Sequence, residues 1–194
     1  MAKEVFTFEH WCLLFSRGLE AYSTRTDPSM SLLQELPYYR AIPFGLDSGS
    51  WVLVEGFAPQ QSQGIQLDLA YGQFRGANIA LRFKLSFEGD PSSPATASLN
   101  SFVEGLWGIE KKAATDLRRG EWFKVQFIVT SQGYKILQND KFLFEFDHRL
   151  SPQKIRFLEM KGDIRLKEVT FVSEKSSESR NLMPPRYRAG RQAR

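Results

Sequence analysis

The stretch from Ile79 to Phe87 constrains this chain more than any other. Its odd positions, Ile79, Leu81, Phe83, Leu85 and Phe87, are all apolar, while Arg82, Lys84 and Ser86 stand between them. Only extended backbone turns successive side chains to opposite faces, so this pattern requires a strand with one face on a core. The five apolar groups are expected to point inward. Arg82, Lys84 and Ser86 then share the outer face in a row, about 7 Å apart per step. A strand with one wet face belongs in an antiparallel sheet. The same rhythm marks further strand candidates at Trp51–Phe57, Ile65–Leu69, Ala97–Ser101, Trp122–Thr130, Tyr134–Gln138, Lys141–Phe146, Ile155–Met160 and Ile164–Val172, with the first segment running from Asn78 to Glu88. Gly, Pro, Asn and Asp separate them. Asn139-Asp140 and Gly162-Asp163 each divide two candidates and tolerate positive φ, so both are read as hairpin turns. Many short strands with frequent turns predict an all-β fold, a two-sheet antiparallel sandwich.

The two ends break this rhythm. Val5, Phe8, Cys12, Phe15, Leu19 and Tyr22 recur at steps of three and four, which predicts a helix over Thr7 to Tyr22 with one apolar stripe. Two uses fit that stripe: packing on the protein's own body, or docking to a partner protein or a second copy as a homodimer. Thr24 to Ser31, with Asp27-Pro28, reads as a linker. Ser173 to Arg194 lacks apolar periodicity and contains Pro184-Pro185, so it is expected to form an unfolded basic tail. The organisation expected is therefore a helical extension and linker over 1–35, a β-domain over 36–172 and a tail over 173–194.

Charge narrows the partners. Of the 26 basic and 22 acidic residues, six and two fall in the tail, which leaves a body with 20 of each. A neutral body presents no domain-wide footprint for nucleic acid. Cys12 is the sole cysteine, so no internal disulfide can form and no zinc site built on several cysteines is available. No metal or other cofactor is expected. The apolar run Trp11–Phe15 is shorter than a signal-peptide core and far shorter than a membrane span, which suggests a cytoplasmic protein without a transmembrane segment, able to reach the outside by a leaderless route.

The run Gly105-Leu106-Trp107-Gly108-Ile109-Glu110-Lys111-Lys112 sets a Trp between small or apolar residues, with a carboxylate three places on. A pyranose offers a face of C–H bonds that can lie on an indole, and its hydroxyls need planar or charged partners at their edges. A Trp in isolation is more often a core residue than a ligand platform, and on spacing alone both readings stand. Catalysis finds no motif. His10 and His148 are the only histidines, Cys12 lies on the apolar stripe, and no phosphate loop or paired-His metal motif is present. Carboxylate pairs of the kind glycosidases use cannot be recognised from spacing.

Over about 137 of the 194 residues, from Leu36 to Val172, the chain resembles a galectin carbohydrate-recognition domain. The resemblance is carried in order by Leu36-Pro37-Tyr38-Tyr39-Arg40-Ala41-Ile42-Pro43 with Gly45-Leu46, by Trp107-Gly108-Ile109-Glu110, by Phe144-Glu145-Phe146-Asp147-His148-Arg149-Leu150, and by Gly162-Asp163-Ile164 through Phe171. It implies a galectin-like jelly roll whose outer face binds β-galactosides, with glycans or glycoproteins as partners and no enzymatic activity. Trp107 matches the residue that stacks on galactose, Asn100 the binding amide seven places before it, and Glu110 the hydroxyl-binding carboxylate. Lys112 stands where the family usually has Arg, which keeps the charge and loses the planar fork. The family's strand motif H-x-N-x-R is replaced by Arg82, Lys84 and Ser86. The two cations can only donate and Ser86 is short, so ordinary lactose binding is expected to be weakened. Arg82, Lys84 and Lys112 around Glu110 point to an anionic or sulfated glycan. A charged face with ion pairs to Glu110 or Glu104 and no sugar at all is the alternative, and would leave a galectin-fold interaction module.

Overall fold

In the computed structural model, which describes residues 33–90 and 92–172, the regular elements are twelve β-strands and one 3-10 turn at Pro152–Lys154. The helix expected over residues 7–22, the linker, Cys12 and the basic tail lie outside the described residues.

The strands are β1 (Tyr38–Ala41), β2 (Trp51–Phe57), β3 (Gly64–Ala70), β4 (Ile79–Ser86), β5 (Thr96–Val103), β6 (Leu106–Trp107), β7 (Lys111–Ala114), β8 (Trp122–Val129), β9 (Gly133–Gln138), β10 (Lys141–Asp147), β11 (Phe157–Gly162) and β12 (Arg165–Val172). They form two antiparallel sheets. One runs β1-β11-β3-β4-β5-β6, with β7 also pairing with β5; the other runs β10-β9-β8-β2-β12.

Alternation explains the core between them. Leu67, Leu69, Leu81, Phe83, Leu85 and Leu99 point inward from the first sheet, and Val52, Val54, Val125, Phe127, Ile136 and Phe146 from the second, all buried. Phe83 and Phe127 meet edge to face across the layers, ring centroids 5.2 Å apart, the offset geometry that aromatic quadrupoles favour. With the core filled from one side of each sheet, the polar half of β4 is left on the outside of the larger sheet.

Three expectations fail for identifiable reasons. Ile79 does not point into the core. Between Ile79 and Arg82, β4 carries one residue more than β5 opposite, a bulge that leaves both Ala80 and Leu81 buried and turns Ile79 to the outer face. Gly162-Asp163 is not a hairpin: β11 pairs with β1 and β3, whereas β12 pairs with β2, so this turn carries the chain from one sheet to the other. The Asp163 carboxylate accepts bonds from the Ser62 hydroxyl and the Gln63 and Gly64 amides, which anchors the crossover. Ile155 closes the 3-10 turn by donating its amide to the Pro152 carbonyl, so β11 begins only at Phe157. The Asn139-Asp140 turn is as expected, with φ of 48° and 64°.

Candidate functional site

Strand register assembles the outer face of the larger sheet into rungs. One rung crosses β1, β11, β3, β4 and β5 as Tyr39, Glu159, Asp68, Arg82 and Asn100. The next crosses β11, β3, β4, β5 and β7 as Lys161, Gln66, Lys84, Ser98 and Lys112. A groove of about 330 Å³ opens over these rungs, lined by Gln66, Arg82, Lys84, Ser98, Asn100, Trp107 and Glu110.

Five of the seven residues singled out in the sequence therefore line one groove: Arg82, Lys84, Asn100, Trp107 and Glu110. Lys112 lies beside it, its ammonium 3.2 Å from the Glu110 carboxylate. Ser86 is brought to the same face but sits one rung further, paired with Gly64 and Thr96 and outside the lining.

Trp107 reaches the groove on a tight hairpin. Glu104 and Gly105, with φ of 50° and 90°, turn β5 into β6, and the Glu104 amide donates to Asn78 Oδ1. The indole is 47% exposed, so it is not a core residue. Phe102 on β5 tilts against its ring at 5.0 Å.

After Trp107 the loop is held from outside the sheet. Arg149, just beyond β10, donates through Nη1 to Asn100 Oδ1 and Ser101 Oγ and through Nη2 to the Ile109 carbonyl, while its guanidinium lies over the Phe146 ring. Asn100 also donates to the Gly108 carbonyl at 3.0 Å and accepts from the Ser101 amide. A Cβ at Gly108 would overlap Arg149 Nη1, so a side chain there would push the guanidinium out of these bonds. Together these bonds fix the loop from Trp107 to Glu110. The Lys112 hydrogen bond holds the Glu110 carboxyl below its ordinary range; burial opposes this, and a bond from Ser98 and the charges of Lys112 and Lys84 reinforce it.

Arg82 is engaged quite differently. Its Nε and Nη2 donate to the two oxygens of Asp68 at 2.7 and 2.6 Å, and Asp68 is only 3% exposed. Gln66 donates a further bond to the same carboxylate at 3.0 Å. Thus held, the guanidinium lies over the Trp107 ring, 4.4 Å from its centroid. The expected partners, Glu110 or Glu104, are not the ones Arg82 finds. The carboxylate that neutralises it is on β3.

Sequence reasoning missed Gln66, Asp68 and Ser98, and gave Arg149 no part in the site. The signal for the first two was present, since Ile65-Gln66-Leu67-Asp68-Leu69 alternates as cleanly as β4 does. What was not readable was that β3 lies next to β4 in this register. On the other flank of Trp107 a second groove of about 250 Å³ is bounded by Phe74, Ile79 and Phe102 among others. Among the described residues, no group of three or more His, Cys, Asp or Glu is placed to hold a metal ion. No helix among them is long and apolar enough to cross a membrane.

Comparison with known proteins bears on the family and the fold. A family model described as galactoside-binding lectin matches residues 37–171. Rat galectin-4 is 33% identical over 138 residues, covering 71% of this chain but only 41% of its own length. The chain thus spans less than half of the galectin-4 relatives it matches. Mouse galectin-7 is 29% identical over 127 residues, 65% of this chain and 90% of the relative. Among solved structures, sheep galectin-11 in complex with glycerol superposes with a TM-score of 0.63 at 27% identity, over 70% of this chain and 97% of that one.

Proposed function

Because this chain belongs to the galectin family of galactoside-binding lectins, we propose that its groove binds glycans, with a specificity altered from plain β-galactosides toward anionic ones. Convergence carries this reading. Asn100, Trp107 and Glu110, the residues matching the family's motif, line the same groove as Arg82 and Lys84. An exposed indole flanked by hydroxyl-binding groups suits a sugar, and the protein acts by binding rather than catalysis.

The anionic preference rests on which donors remain. Asp68 takes Nε and Nη2 of Arg82 and leaves Nη1 without an acceptor among the described residues. Lys84 is exposed one rung away. A sulfate or carboxylate gains charge-assisted hydrogen bonds from such groups, roughly twice as strong as neutral ones.

One observation favours a second reading, an interaction module without sugar binding: Asn100 uses both ends of its amide on the protein itself. A glycan array bearing neutral and sulfated galactosides separates the two. Binding is expected on the sulfated members, with most of it lost in Trp107→Ala. Uniform silence across the array would withdraw the lectin reading in favour of the module.

A further inference from the structure

We infer that Arg82 is the residue that withholds the Trp107 ring from neutral galactosides, and that buried Asp68 is the positioning residue that keeps it there. This rests on the groove being a glycan site, and it names what decides which glycan enters.

A pyranose stacks on an indole by laying its C–H face about 4 Å above the ring plane, the layer in which a guanidinium makes its own cation–π contact. The Arg82 guanidinium already fills that layer, 4.4 Å from the centroid. It is not a loose side chain that a sugar can brush aside. Two parallel hydrogen bonds to Asp68 fix both its position and its plane, a geometry that a lysine ammonium cannot adopt. Asp68 is locked in turn by Gln66 and by its place on β3, directly across from Arg82.

A neutral sugar that displaced Arg82 would strand a carboxylate that is 3% exposed and would offer no charge in exchange. An anionic substituent faces no such conflict. It can accept from Nη1 and from Lys84 while Arg82 stays on both Asp68 and Trp107. The ligand class is therefore a glycan that presents a sulfate or carboxylate to the edge of the capped ring, rather than one that stacks a bare galactose on the indole.

Calorimetric titration of lactose and a sulfated lactose into the native protein, Asp68→Asn and the Asp68→Asn/Arg82→His double variant tests this. Both variants should bind lactose about tenfold or more tighter than the native chain, and the native preference for the sulfated sugar should shrink. Adding Trp107→Ala to the double variant should abolish the gain. Lactose affinity equal in all three proteins, or a gain that survives loss of the indole, overturns the inference. If the native protein binds sulfated glycans and the variants gain nothing, only this inference falls; if the native array is silent as well, the lectin reading falls with it. Should the variants fail to fold, the Arg82 Nε–H of the native protein decides. Slow solvent exchange, undisturbed by lactose, is expected from a cap held by Asp68, and exchange as fast as that of a free arginine refutes it.

Discussion

On the β6–β7 side of the groove an arginine works from behind, whereas on the β4 side an arginine works from in front. Arg149 ties Asn100, Ser101 and Ile109 together, and its effect is to present the Trp107 ring and the Glu110 carboxylate to solvent. Arg82 ties itself to Asp68 and covers the ring that Arg149 helps to present. The two side chains have the same chemistry and both hold their neighbours through fixed, planar donor pairs. The direction of approach decides whether such a clamp exposes a ring or covers it. Presence of a family's motif residues is therefore only half of a site; what the facing strand does with its own polar groups is the other half.

The largest effect that could break this contrast is on stability. Arg82→Ala should destabilise the protein by about 3 kcal/mol, because it leaves Asp68 as a buried carboxylate with only Gln66 as side-chain partner; urea denaturation measures it. A cost near zero would mean that Arg82 is not clamped. Arg149→Ala should cost less, about 1–2 kcal/mol, because two of its three bonds are solvent-exposed and the third is to a neutral hydroxyl. It should nevertheless abolish glycan-array signal, since the loop that carries Trp107 and Glu110 loses its brace.

Smaller still is the response to pH. The folded-state pKa of Glu110 is lowered, so its ionised contacts are complete above the unfolded value of about 4.3 and are lost as pH falls through the lower folded value. Glycan retention should stay level from neutral pH down through the ordinary glutamate range and decline only below it. Glu110→Gln should bind more weakly throughout and show no contribution from this group to the acid limb. The smallest effect is that of Lys84→Ala, which should leave stability within about 0.5 kcal/mol yet reduce sulfated-sugar binding several-fold with neutral sugars unchanged. Equal loss for both sugars would show that Lys84 does not read charge.

Much of the fold was legible because alternation is a local signal. The cores of β2, β8 and β9, and of β4 from Leu81 on, can be read directly from residues at every second position. What could not be read was short or non-local. Strands β1, β6 and β7 have two to four residues and little alternation, the β4 bulge shows only against its partners, and the Gly162-Asp163 turn looks like a hairpin until the sheets are assigned. The same division runs through the site. Arg82, Lys84, Asn100, Trp107 and Glu110 could be named in advance, whereas Asp68 and Arg149, the two residues that set the states of Trp107 and Arg82, came into view only with the strands in place.

By itself the sequence determined that the chain must build an antiparallel sandwich and that Arg82, Lys84 and Ser86 share the outward face of β4, because strand geometry ties facing to parity along any unbroken stretch. Only the tertiary structure decided what those outward groups meet. Arg82 faces Asp68 from 14 residues away, and Arg149 reaches Asn100 across 49. Hydrogen bonds and ion pairs act over a few ångströms in space, and distance along the chain does not reveal which groups the sheet will bring that close.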